Sequence, residues 1–230
     1  MNLKEALHRL ERMGTAQNRK VYARHGVRGE AYGVSYANLG TLRKAIRVDH
    51  ALAAGLWKSG IHDARILATM VADPGAADRS LLDAWVRDLD NYVITDAFVG
   101  FAARTPLARD RMEWWVQDSG EWIGAAGWGI LARLAISDKD LPGEYFSEYL
   151  DRIAGEIHQA KNRTRHSMNN ALIAIGTRNP GLQKQALAVA STIGNVKVDH
   201  GETGCKTPDA AAYIRKTVAR KKTASRAKQQ

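Results

Sequence analysis

The residues best placed to do chemistry are Tyr92 and Asp96, in the run Asp90-Asn91-Tyr92-Val93-Ile94-Thr95-Asp96. Four positions apart, they share one face of a helix. Asp96 leads into Ala97-Phe98-Val99-Gly100-Phe101, which sets a carboxylate within an apolar helix. A lone charge in that setting is costly, so it is either paired or functional. The pairing reading gives it an arginine of a neighbouring helix, Arg87 or Arg104. Tryptophans gather nearby at Trp85, Trp114, Trp115, Trp122 and Trp128. At helical spacing such residues pack a core first, as is expected of Trp85 and Trp128. Trp115 and Trp122 are open to a second use, stacking on a base or drawing an electron-poor ring onto their faces.

Other chemistries find little support. There is no GxGxxG before a helix, no phosphate-binding Walker loop and no GxSxG. None of the seven histidines pairs with another at helical spacing. His200 and Cys205 share a loop, but two ligands fall short of a zinc site, so no metal and no cofactor is expected. As a nucleophile Cys205 would need an activating base, and His200 is near enough in sequence to leave that open.

The elements that must hold these residues are helical throughout. Leu3, Ala6, Leu7, Leu10 and Met13 make one apolar face, with Asn2 as cap and Gly14 as stop. A second helix over 16–25 carries Arg19, Lys20 and Arg24, and a Gly-rich loop follows over 26–37. Further helices are predicted over 38–47, 49–58, 62–72, 78–88, 91–103, 107–117, 120–136, 142–160, 164–177, 180–193 and 208–219, with Asp49 and Asp63 as caps. The prolines fall between helices or in first turns. Leu67, Phe98, Ile130 and Ile173 occupy equivalent places in a loose repeat of small-residue helices ending in polar turns. Stacked helical hairpins of the HEAT type follow, in an all-α curved solenoid with a concave basic face. A non-repetitive helical bundle is the plainer alternative.

The formal charge is +10. Arg215, Lys216, Arg220, Lys221, Lys222, Arg226 and Lys228 lie beyond residue 214 with no acid among them, and without them the charge falls to about +3. The reading is one repeat domain over 1–217 and a disordered basic tail over 218–230, either a solubilising segment or a polyanion binder. No apolar run reaches the ~20 residues a membrane span needs. The N-terminal segment lacks the features of a signal peptide. A single cysteine suits a reducing cytosol. These point to a cytoplasmic protein, nucleoid-associated when on DNA, with no membrane and no obligate protein partner.

Four segments together resemble the bacterial DNA alkylation repair proteins of the AlkD-like family. They are NRKVYARHGVRGEAYGVSYANLGTLRKAI at 18–46, DHALAAGLWKSGIHDARILA at 49–68, DNYVITD at 90–96 and NVKVDHGETGCKTPDAAAYIRK at 195–216. The resemblance covers roughly residues 16–217. It implies HEAT-like repeats that bind double-stranded DNA, damaged or distorted. It implies hydrolysis of the N-glycosidic bond of cationic N3- or N7-alkylated purines, with Asp96 stabilising the sugar cation or positioning water and Tyr92 against the nucleotide. Trp122 would contact DNA, with Arg19, Lys20, Arg24, Arg163 and Arg165 on phosphates. The implied motif is incomplete. Gly124 and Ala125 stand where an arginine pair is expected, and Asn170 where a second tryptophan is. A family member without catalysis that binds damaged or branched DNA is therefore the alternative, and a protein–protein scaffold a more distant one.

Overall fold

The computed structural model describes residues 1–227. Among them the chain forms thirteen α-helices and no strand. They are α1 (Leu3–Met13), α2 (Ala16–Arg24), α3 (Tyr36–Ile46), α4 (His50–Lys58), α5 (His62–Val71), α6 (Arg79–Arg87), α7 (Tyr92–Ala102), α8 (Ala108–Trp115), α9 (Glu121–Ser137), α10 (Gly143–Glu156), α11 (Asn162–Gly176), α12 (Pro180–Ile193) and α13 (Ala210–Ala227). Side-chain oxygens start most of the early helices, as at Asn2, Thr15, Ser35, Asp49, Asp78 and Asn91. Each satisfies an amide that the first helical turn leaves without a partner.

By its internal packing the chain divides into two compact units. Unit 1 is Met1–Arg111 with His200–Gly204, and unit 2 is Met112–Asp199 with the chain from Cys205 onward. In unit 1, α4 packs on α5, α6 on α7, and α5 lies between α3 and α7. Trp57 and Trp85 stack at 4.2 Å between ring centroids, and Phe98 and Phe101 of α7 pack against them. That aromatic core fixes the rotation of α7 about its axis. Ile94, Phe98 and Phe101 turn inward and are buried.

The Gly-rich loop before α3 is held by a buried acid. Asp63 is fully buried, and its carboxylate accepts the amides of Tyr32 (2.7 Å), Gly33 (3.2 Å) and Val34 (2.6 Å). Asp63 thus does not cap its own helix, as its position suggested. It neutralises three loop donors that α5 would otherwise bury unpaired. Tyr22 adds a hydroxyl bond to the Val34 carbonyl at 2.5 Å. Gly33 has φ +81°, and a Cβ there would lie 2.4 Å from the Thr15 carbonyl oxygen, so only glycine fits. The next residues, Ser35 and Tyr36, open α3.

In unit 2, α11 packs most closely on α9, α10 packs on α12, and α13 lies against both α11 and α12. Its closing loop is tied down as a structural element. Asn162 and Asp199 exchange two hydrogen bonds (2.8 and 2.7 Å), and the buried Asn169 donates to the Pro208 carbonyl at 3.0 Å. Asp209 accepts the Ala212 amide and so caps α13. Where a disordered tail was expected from 218, α13 continues to Ala227; residues 228–230 lie outside the described residues. Alanine, lysine and arginine are strong helix formers, cations favour a helix C-terminus, and Lys221 Nζ holds the Thr177 carbonyl at 2.9 Å.

Asp63→Ala leaves the loop amides without an acceptor and is expected to cost about 3 kcal/mol or more in urea unfolding. A second outcome follows from His62, buried with its ring edge-on to Tyr22. Burial lowers its pKa, outweighing the attraction of Asp63 and Asp90. The folded state therefore binds this proton less readily than the unfolded chain. Stability is expected to fall as pH drops below about 6.5, towards the depressed folded value. Urea titrations from pH 7.5 to 5 should show this part of the slope missing in His62→Gln.

Candidate functional site

The helical period explains where Asp96 points. With Ile94, Phe98 and Phe101 inward, Asp96 and Gly100 fall on the outer face of α7, and Asp96 is exposed. It is therefore not sealed between helices. It lines a cleft of about 620 Å³ between α3 and α7, floored by Thr69 and Met70 of α5. Tyr36, Gly40 and Arg43 of α3 face it, and Gly100 and Arg104 extend the α7 side. A Cβ built on Gly40 or Gly100 would meet nothing within 4 Å. Those glycines keep the cleft open and are not there for close packing.

Tyr92 begins α7, half-buried one turn before Asp96. Its hydroxyl is hydrogen-bonded to Nδ1 of His25, and the two rings lie 5.8 Å apart. His25 caps the C-terminus of α2, so that helix ends at Tyr92. The Tyr36 pKa is raised, first by desolvation and then by the charges of Asp96, Tyr92 and Asp63. Tyr36 is thus a neutral phenol beside a carboxylate, able to donate a hydrogen bond at any physiological pH. Arg43 and Arg104 are exposed, and Arg104 bonds the carbonyls of Gly100 (3.0 Å) and Thr69 (3.5 Å). One cleft thus offers a carboxylate, a phenol and two guanidinium groups. That set suits a ligand carrying phosphate at one point and positive charge at another.

Unit 1 brings Asp96 and Tyr92 together with the helix that carries Arg19, Lys20 and Arg24. Those three are exposed on α2. Arg19 also holds the Tyr32 carbonyl at 3.0 Å and so shares in the loop anchor. In unit 2, Trp122 is half-buried at the start of α9, and Trp115 is in the core with Trp128. Trp85 is in the core of unit 1, as expected. Arg163 is half-buried, with its backbone amide on the Glu121 carboxylate. Arg165 has a structural task that its charge did not reveal. Its guanidinium donates to the carbonyls of Lys197 (2.8 Å), His158 (3.1 Å) and Ala160 (2.9 Å), stapling the closing segment to α11.

Tyr36 and Arg43 escaped the sequence reading, and Arg104 entered it only as an ion-pair partner. Their spacing was the available signal. Tyr36, Gly40 and Arg43 share one face of α3, and Asp96 and Gly100 follow the same period along α7, with Arg104 just past its end. The missing arginine pair has a steric cause. Gly124 is buried where α9 meets α11, and a Cβ there would lie 3.0 Å from the Asp118 carbonyl oxygen and 3.2 Å from Thr164 Oγ1. Ala125 is only 2% exposed. An arginine at either position would press α9 away from its neighbours. Among the described residues, no group of three or more His, Cys, Asp or Glu could hold a metal ion. No described helix is long and apolar enough to cross a membrane.

Comparison with known proteins agrees with this architecture. The profile of the DNA alkylation repair enzyme family matches residues 4–220. An uncharacterised protein of Listeria innocua is 27% identical over 206 residues, covering 86% of this chain and 88% of that one. One of Listeria monocytogenes is 27% identical over 211 residues with the same coverage. A solved structure superposes with a TM-score of 0.87 at 26% identity, over 96% of this chain and 95% of the other. It is described as a new family of proteins related to the HEAT-like repeat DNA glycosylases with affinity for branched DNA structures.

Gly124→Arg restores the residue type expected there, and overpacking is expected to cost about 1–3 kcal/mol or more. Thermal unfolding should show a clear drop in Tm against Asn170→Trp, whose half-buried position leaves room to adjust.

Proposed function

Since this chain belongs to the DNA alkylation repair enzyme family, we propose that it binds double-stranded DNA, with preference for branched or otherwise distorted forms. The α3–α7 cleft is the point at which it engages a nucleotide. The observation that carries this reading is the exposure of Arg43 and Arg104 on the cleft that Asp96 lines. These cations take the place of the arginine pair for which α9 has little room, and meet the backbone phosphates. Lys20 and Arg24, exposed on the helix that ends at Tyr92, extend the contact to neighbouring phosphates. A junction or a distorted step favours such a cleft because its nucleotides are already unstacked, which lowers the cost of admitting one.

A second reading, excision of cationic alkylpurines, is favoured by the exposed carboxylate beside the neutral Tyr36 phenol. In that reaction the C1′–N bond breaks and its electron pair neutralises the charge on the departing base. Asp96 stabilises the sugar cation and takes a proton from the water that adds to C1′. Such a base leaves without acid catalysis, so the site needs no proton donor.

Arg43→Gln and Arg104→Gln are each expected to weaken binding to a four-way junction roughly 3- to 10-fold and to lower the salt slope by about one. Asp96→Asn is expected to bind as tightly as wild type or tighter, because a negative charge leaves a surface that meets phosphates. The same variant decides the second reading. Release of 7-methylguanine from methylated DNA by wild type, lost in Asp96→Asn, supports it; no release above background sinks it. Equal affinity of both arginine variants and wild type would remove the cleft from the binding surface.

A further inference from the structure

We propose that α13 is a second phosphate-binding element, separate in sequence and in structural unit from the α3–α7 cleft, that grips the DNA backbone without reading its sequence. This rests on the reading that the chain binds DNA. The helix has two faces with different work. Ala210 and Ile214 are buried, a Cβ on Gly176 would lie 2.7 Å from Ile214 Cδ1, and Lys221 holds the Thr177 carbonyl. That face is spent on α11 and α12. The other presents Arg215, Lys216, Arg220 and Lys222, all exposed. No acidic residue follows Asp209 in the sequence, so none within the helix relieves their mutual repulsion.

Cations at i and i+4, such as Lys216 and Arg220, oppose helix formation where they stand alone. An external polyanion removes that opposition. Arg215 to Lys222 spans roughly 10 Å at the helical rise, which matches about three phosphates along one DNA strand. A membrane surface fits less well. An interfacial helix needs a free apolar face, and the apolar face of α13 is already covered.

The test is the quadruple variant Arg215→Gln, Lys216→Gln, Arg220→Gln, Lys222→Gln in the full chain. Glutamine keeps helix propensity, and Lys221 stays in place. Binding to a plain duplex and to a four-way junction is measured from 0.05 to 0.3 M salt, with circular dichroism to check helix content. The salt slope is expected to fall by about two to three for both DNAs, with their affinity ratio unchanged. Amides from Lys222 to Ala227 are expected to gain hydrogen-exchange protection when wild type binds duplex. An unchanged slope with helix content intact overturns the inference and leaves the cleft reading standing. A change confined to the junction also overturns it, since the element would then read shape. Binding of wild type to anionic phosphatidylglycerol vesicles but to neither DNA overturns both readings.

Discussion

The site depends on one buried carboxylate. Asp63 sits at the start of α5, wholly out of water, and is stable there because three backbone amides of the preceding loop point at it. A buried charge without such donors would be strongly unfavourable. The bond works in both directions, since the loop amides also need an acceptor away from water. The loop is thereby fixed against α2 at Gly33, and its end is fixed at Ser35, which caps α3. The first residue of α3 is Tyr36. A residue that never touches the cleft thus decides where one wall of it stands.

The other wall is set by the stacked tryptophans and the phenylalanines of α7. They commit one face of that helix to the core and turn Asp96 and Gly100 outward. Packing sets side chains in unit 2 as well. The close approach of α9 to α11 favours Gly124, where a Cβ would lie 3.0 Å from the Asp118 carbonyl oxygen and 3.2 Å from Thr164 Oγ1. Packing leaves those positions little room for a longer side chain. Cations on α3 and after α7 are free of that constraint because they stand at an open cleft.

Much of the helical plan was legible in the sequence. Capping residues, glycines and prolines mark most helix ends to within a residue or two, as for α9 and α12. Asp96 and Tyr92 stood out because their residue types are unusual for their surroundings. What was hidden depends on partners distant in sequence. Asp63 looked like a cap, and only the loop thirty residues earlier shows its use. Arg165 looked like a phosphate contact, but its three acceptors are carbonyls brought together by the fold. The outward turn of Asp96 follows from the helical period and not from its neighbours in a row. The reach of α13 to Ala227 reflects the helix propensity of alanine, lysine and arginine, which outweighs the repulsion of its charges.

The central claim is that the α3–α7 cleft meets DNA. Hydrogen exchange on wild-type protein, free and saturated with a four-way junction, addresses it residue by residue. The account requires added protection over Tyr36–Arg43 and Asp96–Arg104. Protection that appears elsewhere and leaves both segments unchanged would contradict it.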